Sequence, residues 1–351
     1  MHLKYYPNLD GIRGTAALMI VVFHFFQSVP VDTALMSYVV RLSLIGQTGV
    51  TLFFVLSGFL ITRILLDTKE QPHYFRNFYI RRALRIFPLY YFFLIIFYFV
   101  LPILVDGEST PFSKQWYYYV YLQNFATTFN WGATGPGHFW SLAVEEHFYL
   151  FWPFMVYVLP VSRLVRVISF IVAGAIVLRM VMLSHGYTVF YFTFTRIDSL
   201  AIGSLLAILE AKGYLQKENA RYALIGLIIT LVPTGILWLN VSGSGNFMIQ
   251  AIRDLLESSI YFLLIAFLLC ISLENPVNRI LSSSVFTYMG KISYGVYVYH
   301  PLAFSISRWW LPAGSLLSGF VEGLALSFIM ASLSYFILEV RFLKLKKFFT
   351  Y

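Results

Sequence analysis

The sequence predicts an all-α, polytopic membrane protein, and three observations carry that reading. Of its 351 residues, 59% are hydrophobic and only 12% charged. Mean hydropathy is +0.74, well outside the range of a soluble domain of this length. The apolar residues also gather in runs of about 20, the length a helix needs to cross a hydrocarbon core of ~30 Å. That ruler finds ten candidate spans, at 14–30, 46–66, 86–105, 139–160, 164–184, 189–210, 222–240, 254–273, 289–308 and 315–338.

The first span follows a lone lysine, Lys4, with no small-residue cleavage site ahead of a polar mature domain, so it reads as a retained helix. The fourth, 139–160, is the least regular because Glu145, Glu146 and His147 interrupt it. The one long connection, 106–138, carries "DGEST", Pro111 and "GATGPG", and its aromatic string "QWYYYVY" suits a membrane interface. No internal repeat or low-complexity tract is present, and the expectation is a single integral-membrane domain over 1–351 with no appended soluble domain.

Charge sets the orientation. With both termini in the cytoplasm, eighteen of the 25 Lys and Arg fall inside and only Arg41, Lys114, Arg253 and Arg308 outside, with Arg63, Arg179 and Arg196 within spans, the bias the positive-inside rule requires. Topology thus accounts for the net charge of +9 without a nucleic-acid partner, and membrane lipids are the expected surroundings. The single cysteine, Cys270, lies in an apolar run, which excludes internal disulfides and thiolate clusters; no metal is expected. The absence of a GxxxxGK[ST] or GxGxxG motif argues against an ATP-driven pump or a nicotinamide enzyme. Nothing in the sequence indicates an oligomeric state.

Against this background, ionisable residues inside spans stand out, because each is costly in hydrocarbon and tends to face a cavity or a partner. In "LDGIRGTAALMIVVFH", Arg13 and His24 are eleven residues apart, nearly three turns and about 16 Å along one helix face. Arg196 and Asp198 lie in "TRIDSLAIG", His300 in "ISYGVYVYHPL" just before Pro301, and Glu145 and Glu146 in "HFWSLAVEEHFYLFWP". Arg196 with Asp198 reads either as an ion pair that fixes helix packing or as a substrate contact. Ser57 and Gly58 in "FFVLSGFLI" read as close-packing residues, since no G-x-S-x-G elbow surrounds them. In "RNFYIRRALRIFPLYY", Arg82 and Arg85 are i, i+3 neighbours able to present paired guanidinium forks to a phosphorylated ligand, or to anionic lipid.

Six ordered motifs between residues 9 and 302 resemble those of the acyltransferase 3 family of bacterial membrane acyltransferases, which includes O-acetylases of cell-surface polysaccharides. They are "LDGIRG" with Arg13 and then His24, "GVTLFFVLSGFLI", "RRALRIFPLYY" with Arg82 and Arg85, "WSLAVEEHFYL" with Trp140 and Glu145, "TRIDSLAIG" with Arg196 and Asp198, and "ISYGVYVYHPL" with Tyr294 and His300. The resemblance implies transfer of an acyl group, typically acetyl from cytoplasmic acetyl-CoA, to a carbohydrate or glycolipid-linked acceptor at or across the bacterial cytoplasmic membrane. It makes His24 and Glu145 the catalytic candidates and puts Arg13, Arg82 and Arg85 on CoA, with Trp140, Arg196, Asp198, Tyr294 and His300 binding substrate or supporting the site. Some relatives carry an extra esterase-like domain, and none is expected here. In this reading His24 is general base or acyl relay, oriented by Glu145 or Asp198, and the choice between one-step and two-step transfer is open. The competing class is a secondary transporter or flippase, whose proton relays use the same residue types.

Overall fold

A computed structural model describes residues 4–105, 107–240, 247–310 and 315–350. Helices α1 (Pro7–Phe26), α2 (Ala34–Leu44), α3 (Gly49–Thr68), α4 (Tyr74–Ile95), α5 (Leu101–Leu104), α6 (Phe112–Tyr119), α7 (Gln123–Thr128) and α8 (Trp140–Val158) form the first part of the chain. Then follow α9 (Val161–Ser184), α10 (Thr193–Ala211), α11 (Ala220–Asn240), α12 (Phe247–Cys270), α13 (Pro276–Leu281), α14 (Ser284–Trp310), α15 (Leu316–Ser334) and α16 (Val340–Lys344). No β-strand occurs among the described residues.

The protein is all-α and integral to the membrane. Six stretches among the described residues are long and apolar enough to cross a bilayer: Pro7–Phe26, Ala34–Thr68, Tyr74–Leu104, Val161–Ser184, Lys217–Leu237 and Leu316–Phe348. The other four expected spans fall on α8, α10, α12 and α14, helices of 19, 19, 24 and 27 residues. These four carry most of the polar insertions. Several boundaries differ from expectation, most of all at α4, which begins at Tyr74 and not at 86, so the arginine cluster lies within the helix. Helix α1 begins at Pro7, not 14, because proline suits a first helical turn, so Asp10 and Arg13 sit one turn apart on it. Helix α2, only 11 residues long and holding Ser37, Arg41 and Ser43, gives no 20-residue apolar run to announce it; Thr33 Oγ1 caps it by accepting from Met36 N at 3.1 Å. The expected connection at 106–138 also contains two short helices, α6 and α7.

The chain divides into two units. One comprises Phe54–Tyr74 and Ile95–Ser272, the other Lys4–Phe53, Phe75–Leu94 and the residues from Leu273 onward. In the second, α1 packs on α14 through backbone contact. A methyl on Gly290 would lie 2.0 Å from the Asp10 carbonyl oxygen, so hydrogen is all that fits. Above this contact Ala17, Val21, Ile292, Val296, Phe304 and Ala331 form one buried cluster. Gly14 meets Gly290, and ten residues further along both helices His24 meets His300. Equal offsets of about 15 Å of rise mean that α1 and α14 run parallel.

In the first unit, small residues join α3 to α10: a methyl on Gly58 would lie 1.9 Å from the Leu200 carbonyl, and one on Gly203 2.0 Å from that of Val55. The packing role expected of Gly58 holds. Alongside, Thr62 donates to Ser204 at 2.8 Å and receives the Trp152 indole N–H at 2.7 Å, which ties α8 to the pair.

Candidate functional site

The clearest reactive arrangement is a pair of imidazoles in the second unit. Pro301 has no N–H, so the Tyr297 carbonyl four residues earlier loses its helical donor. The Nδ1–H of fully buried His300 takes that place, donating to Tyr297 O at 2.8 Å. A carbonyl only accepts, so Nδ1 of His300 carries the proton and its Nε2 is the acceptor of the neutral ring. That Nε2 lies 2.9 Å from Nδ1 of His24. In the neutral pair, His24 therefore donates from Nδ1 and keeps its Nε2 lone pair for another proton. The His24 side chain lines a cavity rather than being sealed in the core.

Three turns back along α1, a second cavity of about 260 Å³ is lined by Arg13, Arg85, Lys291, Asp10, Glu339 and Tyr294, among others. Arg13 Nη1 donates to Asp10 Oδ1 at 2.9 Å, and the Tyr5 hydroxyl donates to Asp10 Oδ2 at 2.5 Å. With its proton held by that carboxylate, the Tyr5 phenol is pushed up to about 12. Tyr294 donates to the Ile86 carbonyl at 2.9 Å, joining α14 to α4. Of the arginine cluster, Arg85 enters this cavity, whereas Arg82 is half-buried on the same helix and is not among the lining residues. Arg81 instead donates to the Lys346 and Phe349 carbonyls. The cavity's three cations suit a polyphosphate. Lys291, read from the sequence only as a topology charge, is the addition.

The remaining predicted residues lie in the first unit, and most are enclosed by partners. Asp198 accepts from Arg179 Nη1 at 2.8 Å, and Arg179 also donates to the Ala251 and Thr195 carbonyls at 2.7 and 2.6 Å. Arg196 pairs with Asp254, which also lies 3.5 Å from Arg179. The guanidinium of Arg196 sits 5.8 Å from the Trp140 ring, 5.9 Å from Phe54 and 5.5 Å from Phe190. The anticipated Arg196 with Asp198 pair is thus part of a four-charge network on α9, α10 and α12 whose other members, Arg179 and Asp254, the sequence reading did not single out. Glu145 accepts from Ser57 Oγ at 2.7 Å, so Ser57 is more than a packing residue. His147, next along α8, shares a 2.7 Å hydrogen bond with Thr193 Oγ1. The side chain at hydrogen-bond distance from His24 is His300, not either carboxylate expected to orient it, and the His24 ring also bonds the Ile20 backbone one turn earlier. Among the described residues no cluster of His, Cys, Asp and Glu could hold a metal.

The chain is similar to "O-acetyltransferase OatA" of Staphylococcus aureus (strain NCTC 8325 / PS 47), 25% identical over 96% of this chain and 57% of that protein. It is also similar to the "Putative peptidoglycan O-acetyltransferase YrhL" of Bacillus subtilis (strain 168), 34% identical over 59% of this chain and 34% of that protein. The chain thus spans little more than half the length of the staphylococcal relative at most. No solved structure matches it. A family model described as "Acyltransferase domain" matches residues 6–339, which takes in both imidazoles, the cavity's Arg13, Arg85 and Lys291, and the Ser57 and Glu145 pair, so the chain belongs to the acyltransferase 3 family.

Proposed function

We propose that this protein transfers an acyl group, acetyl by preference, from cytoplasmic acyl-CoA to a hydroxyl of a cell-surface carbohydrate or glycolipid-linked acceptor, with His24 Nε2 as general base. The observation that carries the reading is the imidazole pair. His300, locked by the carbonyl that Pro301 frees, holds the His24 proton on Nδ1 and so leaves the Nε2 lone pair for another proton, on a side chain that lines a cavity. The relatives named as O-acetyltransferases support a hydroxyl acceptor, and the peptidoglycan relative supports a carbohydrate one. Arg13, Arg85 and Lys291 hold the donor's phosphates about 16 Å along α1 from His24. Arg82 adds long-range positive charge from the same helix, and Glu145, Trp140 and Arg196 enter through the family resemblance. In the chemical step His24 Nε2 takes the hydroxyl proton as the acceptor oxygen adds to the thioester carbonyl; the carbon–sulfur bond then breaks and the imidazolium returns the proton to the departing thiolate. In this reading both termini and the Arg13 cavity lie on the cytoplasmic side, and the chain crosses the membrane ten times.

The test uses the purified full chain with radiolabelled acetyl-CoA and a cell-wall glycan. His24→Gln keeps a polar side chain of similar size but cannot exchange a proton near neutral pH. We expect it to lower transfer by about 10²- to 10⁴-fold, as the loss of a general base does, with CoA binding retained. Near-normal transfer by His24→Gln would remove His24 from the chemistry. A wild-type protein that ignores acetyl-CoA would favour a transporter.

A further inference from the structure

The cavity into which His24 faces has a composition of its own. It measures about 240 Å³ and is lined by His24, Phe25 and Ser28 at the end of α1, Phe304 and Arg308 on α14, and Leu316 at the start of α15. It lies on the far side of His24 from Arg13, so it is separate from the proposed donor site. The Phe25 and Phe304 rings meet at 5.0 Å and give it an apolar wall. Arg308 lies eight residues past His300, about 12 Å of helix rise, and its Nε donates to the Phe304 carbonyl at 3.3 Å.

The two cavities differ in how their cations are neutralised. In the donor cavity Arg13 is bonded to Asp10, and Glu339 also lines the wall. Among the described residues that line the His24 cavity, Arg308 is the one fixed charge and none is a carboxylate. A guanidinium beside apolar rings, with no acid in the wall, is matched by an anion that arrives with the ligand, since a forked donor binds carboxylate or phosphate with two parallel hydrogen bonds. Aromatic faces meanwhile suit the C–H face of a sugar ring.

We infer that this cavity receives the acceptor, and that Arg308 selects sugars carrying an anionic group, carboxylate or phosphate, within about 12 Å of the hydroxyl to be acylated. The inference rests on the acyl-transfer reading with His24 as base. Arg308 is then a specificity residue, remote from the thioester.

The experiment measures kcat/KM of the purified full chain with acetyl-CoA and three acceptors: a glycan oligosaccharide bearing a carboxylate, the same glycan with its carboxyl reduced to an alcohol, and a phosphorylated counterpart. The wild type is expected to favour one or both anionic acceptors over the reduced one by about 10- to 100-fold, the range for hydrogen bonds to a charged group. Which anion is preferred identifies its source. Arg308→Ala should bring the anionic acceptors down to the level of the reduced glycan and leave the reduced glycan and the acceptor-independent hydrolysis of acetyl-CoA unchanged. Arg308→Lys should restore part of the preference. Equal use of charged and reduced acceptors by the wild type would overturn the inference without needing any variant. So would an Arg308→Ala protein that loses all three acceptors equally, which is the result expected of a headgroup anchor. If the wild type acylates no acceptor and does not turn over acetyl-CoA, the acyl-transfer reading itself falls, and this inference falls with it.

Discussion

The two units handle buried charge in opposite ways. In the first, Arg179, Asp198, Arg196 and Asp254 form a closed set: the acids meet guanidinium groups, Arg179 also reaches backbone carbonyls, and Arg196 lies among three aromatic rings. In the second, His24, Arg13, Arg85 and Lys291 line cavities, and one imidazole nitrogen is left with a lone pair to use. An ionisable residue in an apolar helix is therefore not by itself a sign of chemistry. Enclosure by partners marks a group that holds helices together, whereas a cavity beside a group with a defined protonation state marks a candidate for chemistry.

The sharpest way to break this contrast is Arg179→Ala. Removing one partner leaves Asp198 with an uncompensated buried charge, so thermal unfolding in detergent should show a loss of about 3–5 kcal/mol. A stable Arg179→Ala protein with reduced transfer would instead make the closed network part of the site. Next comes His300. His300→Ala should lower kcat on the order of 10- to 100-fold, the range for a residue that fixes an imidazole's orientation, with donor KM unchanged. His300→Gln can still accept from His24 Nδ1 and should recover most of the rate, which a purely structural histidine would not predict. A smaller effect is expected in the donor cavity. Lys291→Ala should raise the apparent KM for acetyl-CoA about tenfold at nearly constant kcat, as lost phosphate binding far from the reacting carbon does, and unchanged KM would return Lys291 to a topology role.

The smallest effect tests the edge of that cavity. Tyr5 titrates near 10.0 unperturbed and at about 12 in the folded chain, because Asp10 holds its proton. The stability contributed by that bond is fully present below the unfolded value and is lost as pH rises from about 10 to about 12. Asp10→Asn should move the Tyr5 titration, followed by NMR of labelled tyrosine, back towards 10; an unmoved midpoint would mean that burial and not Asp10 sets it.

Sequence alone determined the all-α membrane class of this protein and the approximate helical positions of its apolar runs, and it supplied the residue types of the candidate site, because hydropathy and helical period are properties of neighbouring residues. It also held a local signal that went unread: in Tyr297 to Pro301 the proline removes the donor to the carbonyl that then fixes His300. Tertiary structure decided which ionisable groups are paired and which face space. The Ser57 bond to Glu145 spans 88 positions and the His24 bond to His300 spans 276, so no periodicity connects them. The free energy of a buried charge depends on where its partners lie in space, and only the packing of α1 on α14, and of α9 and α12 on α10, sets those distances.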